Sequence, residues 1–139
     1  MKYIFSFAFL FSIILIGNSQ TQSDKNKEFI KRYYTAISGK IKTPELLSQF
    51  IRDTSLSNQV IIFDSSFPGY TMTANEMISE GNKLVVKAIM RGKHEGIFVN
   101  IPPTHKNVET PMVLFYQIEN NKIISLWAMS NLIDVLNKN

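Results

Sequence analysis

The chain has 139 residues, a net charge of +4 and no cysteine, with 45% hydrophobic and 19% charged residues. That is one domain with one core, too short for two and too apolar for a disordered chain. The missing cysteine excludes disulfides, thiolate nucleophiles, zinc–thiolate sites and a lipid-modified cysteine, and the scattered Lys and Arg form no stripe that would track a nucleic acid.

In chain order, Lys2 followed by the apolar region of 14 residues from Tyr3 to Ile16 reads as an export signal. The run is short for a membrane span. Gly17-Asn18-Ser19 offers small residues for cleavage before Gln20, which predicts a signal peptide over residues 1–19. The mature protein would have 120 residues, no stable membrane span and a periplasmic or extracellular location. An uncleaved anchor is the alternative. Residues 20–24 read as a polar linker and residues 25–139 as the domain.

Ser23 or Asp24 is expected to cap a helix from Lys25 to about Ser38. Its buried face carries Phe29, Ile30, Tyr33, Tyr34 and Ile37 at spacings of three and four, and Gly39 ends it. Thr43-Pro44-Glu45 starts a second helix, with Thr as cap and Pro in the first turn. Its apolar face is Leu46, Leu47, Phe50 and Ile51. A third helix is expected from Ser55 or Ser57 to Asp64, burying Val60, Ile61 and Phe63, followed by a Pro68-Gly69 turn.

From Tyr70 the period changes to two. Strands are expected over Tyr70–Glu80, Leu84–Arg91, Val108–Glu119 and Lys122–Met129. Gly81-Asn82 and Asn120-Asn121 supply the hairpin turns. Residues 97–106 form a loop, because Pro102-Pro103 cannot donate to a ladder. A short helix closes the chain over Asn131–Asn137. Helices first and a strand meander after give an α+β class.

Within the second half, Gly92, His94, Gly96 and Phe98 precede Ile101-Pro102-Pro103-Thr104, and Lys122-Ile123 and Trp127 follow at set spacing. In this order the segment resembles the SnoaL-like polyketide cyclase (ester cyclase) family of the nuclear transport factor 2-like superfamily. The resemblance spans roughly Glu28 to Leu136. It implies a cone-shaped fold, with a curved antiparallel sheet wrapped around N-terminal helices. It also implies a cavity in which an acid after the tryptophan serves an intramolecular aldol closure. That acid position falls on Asn131, or on Ala128 in a tighter register, and neither residue transfers protons. Family histidines fall on Leu114 and Leu126.

Three readings follow. As an enzyme, the protein would catalyse proton transfer (cyclisation or isomerisation) on a hydrophobic carbonyl compound. His94 would be the catalytic candidate, with an acid drawn from Asp64, Glu76 or Asp134. As a binder, it would hold a hydrophobic small molecule in a pocket of Tyr33, Tyr34, Met90, Met112, Leu114, Leu126, Ala128 and Asn131. These residues would equally fill an ordinary core. As an interaction module, it would form a homodimer through a sheet face carrying Val113, Phe115 and Trp127, unless the chain's own loops cover that tryptophan. No cofactor or metal is expected. For His94, the competing reading is a structural hydrogen bond to the Pro102-Pro103 loop. His105 reads as an exposed turn residue.

Overall fold

The computed structural model describes residues 4–138, with side chains from residue 21 onward. The segment read as a signal peptide therefore lies outside the residues whose side chains are described. Among the described residues the order is α1 (Ile4–Ile37), α2 (Pro44–Ser48), α3 (Thr54–Ser66), β1 (Thr71–Glu80), β2 (Lys83–Lys93), β3 (Asn107–Glu119), β4 (Lys122–Ser130) and α4 (Leu132–Lys138). The strands form one antiparallel sheet in the order β1-β2-β3-β4, so β1 and β4 are its edges. The α+β class and the helix-lined, curved sheet expected from the sequence are both present.

Residues 20–24, expected as a linker, are helical. No Pro interrupts them, and tertiary contacts hold this turn in place. Ser23 Oγ donates to the Ser79 carbonyl at 3.1 Å, and Asn26 Nδ2 to the Gly81 carbonyl at 2.9 Å, both at the β1–β2 hairpin. Gly39, at φ 72°, ends α1, a conformation that costs glycine little. Thr43 caps α2 by accepting from the Leu46 N–H, with Pro44 in the first turn. The third helix starts earlier than expected, because Asp53 accepts from the Leu56 N–H and makes Thr54 its first residue.

Alternation along β2 and β3 places Leu84, Val86, Ala88 and Met90 on the buried face, against Met112, Leu114, Tyr116 and Ile118. The face of α1 with Phe29, Ile30, Tyr33, Tyr34 and Ile37 is buried in the same core. Asn120 and Asn121 take φ 49° and 54° in the β3–β4 turn, as Asn tolerates. The loop after β2 lies on the end of α3, where Glu95 and Gly96 N–H donate to the Ser66 carbonyl. A Cβ on Gly96 would strike the Ser65 carbonyl.

Lys42, one of the scattered cations of the sequence, is buried. Its ammonium donates to the carbonyls of Lys40 (2.9 Å) and Tyr70 (2.8 Å) and meets Asp64 Oδ1 at 3.2 Å. Asp64 also accepts from the backbone N–H groups of Lys42 and Gly69, both at 3.0 Å. Every ammonium proton has a partner, which is the condition for burying a charge. Burial pulls the Lys42 pKa below the usual lysine value, and Asp64 opposes that shift.

Asp64→Asn leaves that ammonium buried without a counter-charge, and is expected to cost about 3–5 kcal/mol in urea unfolding. The double change Lys42→Met with Asp64→Leu removes both charges and is expected to cost much less. Equal losses in the two variants would show that the charge itself is not what matters.

Candidate functional site

Between α1, α3 and the concave face of the sheet lies a cavity of about 350 Å³. This is at the small end of ordinary ligand sites. α1 contributes Tyr33, Tyr34 and Ile37, and α3 contributes Leu56, Gln59, Val60 and Phe63. The sheet side adds Tyr70, Met72, Met112, Leu114, Tyr116, Leu126, Trp127 and Ala128. Strand pairing explains that side: Leu114 lies opposite Ala128 and Tyr116 opposite Leu126, so their alternate positions share the concave face.

Six of the expected pocket residues line this cavity: Tyr33, Tyr34, Met112, Leu114, Leu126 and Ala128. Met90 and Asn131 do not. Met90 is fully buried deeper in the sheet, opposite Met72 and Thr110. Asn131 is exposed, and its Oδ1 accepts from Thr110 Oγ1 at 2.8 Å. Of the two registers for the family acid, the one ending on Ala128 is the one that reaches the cavity wall.

His94 also lies outside the lining. It is fully buried, stacked on Phe67 with ring centroids 5.1 Å apart. Its Nδ1 accepts from the Thr104 N–H at 3.2 Å, so it ties the end of β2 to the Pro102-Pro103 loop. His105 is exposed and pairs with Glu95 at 2.7 Å. Of the candidate acids, Asp64 is held by Lys42, Glu76 pairs with Lys87 at 3.0 Å in solvent, and Asp134 is exposed. None of these three lines the cavity. Among the described residues no group of three or more His, Cys, Asp or Glu side chains is placed to hold a metal.

The cavity's polar content is therefore mostly phenolic. Tyr34 and Tyr116 hydroxyls lie 3.0 Å apart and hydrogen-bond to each other. Tyr33 and Tyr70, both buried, make no side-chain hydrogen bond to a described residue, although each lines the cavity. Below Tyr70, the Lys42 ammonium sits 3.8 Å from the ring centroid. Burial drives all four phenol pKa values well above 10, helped at Tyr33, Tyr70 and Tyr116 by repulsion from neighbouring phenols. They are neutral donors at pH 7 and poor bases. Tyr70 and Tyr116 were missed in the sequence. Tyr116 carries a legible signal, since it continues the parity of Met112 and Leu114. Tyr70 carries a weaker one, since it shares the parity of Met72 at the start of the strand expected over Tyr70–Glu80.

The convex face has its own pattern. Ile78, Val85, Phe115 and Trp127 align in one row across all four strands. Phe115 and Trp127 pack edge to face at 5.3 Å, both largely exposed. Trp127 also borders the cavity.

The phenol shifts fix a pH dependence. In the unfolded chain these groups ionise near pH 10, whereas in the folded protein they stay neutral beyond it. The folded state then binds more protons, so stability present below pH 10 is lost as pH rises above it. Absorbance at 295 nm is expected to show Tyr33, Tyr34, Tyr70 and Tyr116 ionising only as the fold is lost. Ionisation near pH 10 with the fold intact would overturn this.

The family model described as SnoaL-like polyketide cyclase matches residues 56–139. Sequence comparison with curated proteins gives no match. A SnoaL-like polyketide cyclase from Agrobacterium tumefaciens shares the fold with a TM-score of 0.67 and 14% identity, over 81% of this chain and 95% of that one. TsrD from Streptomyces laurentii gives 0.63 and 13%, over 81% and 97%. AclR from Streptomyces galilaeus, a proposed hydroxylase, gives 0.66 and 14%, over 84% and 83%. With its C-terminal 84 residues matched to the family model and its architecture shared with these structures, the chain belongs to the SnoaL-like polyketide cyclase family.

Proposed function

We propose that the protein holds in this cavity the uncharged, hydrophobic body of a small molecule carrying a carbonyl or similar acceptor oxygen. Tyr33 and Tyr70 would donate to that oxygen. The observation that carries this reading is two buried phenols that make no side-chain hydrogen bond to a described residue, in a cavity otherwise lined mainly by apolar groups. Such a cavity holds an apolar body by burial and orients it by a few donors. The cyclases among the similar structures support a cyclic carbonyl compound as the ligand class.

Proton-transfer catalysis is the second reading, favoured by family membership and by donors suited to an enolate oxygen. Against it, among the described residues no carboxylate or imidazole lines the cavity, so no group there is ready to take the proton. The binding reading is therefore preferred.

The N-terminal apolar run supports export, with the ligand met in the periplasm or outside the cell. The convex row of Ile78, Val85, Phe115 and Trp127 supports a homodimer, because a contiguous apolar face is otherwise left in water. Sedimentation of Phe115→Lys tests the dimer: the variant is expected to be monomeric and the native chain dimeric. A native monomer would sink the claim.

Benzophenone and its hydrocarbon analogue diphenylmethane test the cavity. Native protein is expected to prefer the ketone, followed by Trp127 fluorescence. Tyr33→Phe with Tyr70→Phe is expected to weaken the ketone about five- to tenfold, the worth of one net hydrogen bond. Diphenylmethane affinity should not change; an equal loss for both compounds, or no binding of either, would overturn the reading. For catalysis, native protein is expected not to accelerate exchange of α-protons of benzyl phenyl ketone in D2O. Ala128→Asp is expected to do so, and Asn131→Asp is not. Exchange by the native chain would favour the enzymatic reading instead.

A further inference from the structure

A second concavity, a groove of about 830 Å³, runs between α1 and the outer side of edge strand β1. Lys27, Lys31, Thr35 and Ser38 line it from α1, since spacings of three and four keep them on one helix face. Thr73 and Asn75 line it from β1. The β1–β2 register skips between Ala74 and Glu76, so Asn75 is left without a partner on β2, a bulge at the groove wall. Among the described residues no acidic side chain lines this groove.

The donors are uneven in their commitments. Ser38 Oγ is engaged by the Met72 backbone, and Thr35 Oγ1 donates to the Lys31 carbonyl. Lys27 forms no ion pair with a described residue, and Thr73 and Asn75 are exposed. Lys31 meets Glu28 at 2.6 Å, with both side chains more than half exposed. A pair in that setting is weak, so an incoming anion competes with it.

The groove and the cavity share two residues. Tyr34 and Met72 line both, and Met72 is an unbranched side chain of the kind that repacks readily. The two concavities also divide the chemistry. The cavity offers neutral phenols and no cation, so a buried negative charge would be uncompensated there. The groove offers two lysines, Lys27 half-buried and Lys31 exposed.

We propose that the groove takes the anionic end, a carboxylate or phosphate, of an amphipathic molecule whose apolar body enters the cavity past Met72. This deepens the binding reading above and rests on it. Lys27 and Lys31 supply the charge, with Thr73 and Asn75 as neutral donors at the bulge. The cavity then contributes affinity by apolar burial, and the groove selects charge.

Decanol, decanoate and decyl phosphate, each below its micelle concentration, separate the two ends. Native protein at low salt is expected to bind at least one of the anions about tenfold tighter than decanol, with the preference fading as salt is added. Lys27→Gln with Lys31→Gln, the first half-buried and the second exposed, is expected to bring the favoured anion to the decanol level and leave decanol unchanged. Whichever anion shows the larger loss identifies the head group. Equal native affinity for decanol and both anions, or an anion preference that survives the double change, overturns the groove assignment while the cavity reading stands. No binding of decanol or of either anion overturns both.

Discussion

One buried ion pair organises the end of the molecule where helices give way to sheet. Lys42 and Asp64 join the segment after α1, the last turns of α3 and the turn into β1 through hydrogen bonds to the backbone of Lys40, Lys42, Gly69 and Tyr70. A cation and an anion removed from water attract strongly but lose hydration, so the pair is tolerable only because each remaining donor and acceptor is used. The arrangement also fixes one wall of the cavity. The ammonium holds the Tyr70 carbonyl and lies against the Tyr70 ring. The position of that phenol therefore depends on a charge outside the cavity.

The cavity follows from a division of labour between side chains. The sheet provides shape by alternation, and α1 closes it with aromatic rings. Phenols supply polarity without charge. Their desolvation keeps them neutral, which suits donation to an acceptor oxygen and removes them as bases at neutral pH. On the sheet side the cavity is lined at Leu114, Leu126 and Ala128 by side chains that transfer no protons. Similar structures include a cyclase and a proposed hydroxylase, in keeping with a fold that does not fix its reaction.

Much of the site was legible in the sequence where parity alone decides it. Met112, Leu114, Leu126 and Ala128 alternate along paired strands, and Tyr33 and Tyr34 follow from helical spacing. Met90 has the same parity, yet its place farther along the sheet, opposite Thr110, puts it behind the wall. Asn131 follows the last strand, and Thr110 rather than the cavity claims its side chain. His94 was legible as a residue of the motif but not in its role, because a histidine's use depends on what its nitrogens meet. Here Nδ1 meets Thr104, ten residues on, and Nε2 is buried without a hydrogen-bond partner among the described residues.

The sequence by itself determined the α+β class, most of the strands, the two hairpin turns and the caps at Gly39 and Thr43. These are set by local periodicity and by which residues tolerate positive φ or accept from a free N–H. It also carried the family motif, which is contiguous. Tertiary structure alone decided that Lys42 is buried while its neighbours are not, that residues 20–24 continue a helix, and that four tyrosines meet in one place. Those outcomes depend on contacts between residues far apart in the chain: 22 positions from Lys42 to Asp64, 55 from Asn26 to Gly81 and 82 from Tyr34 to Tyr116. No local pattern encodes such a meeting, because each partner is an ordinary polar residue until the fold removes its water.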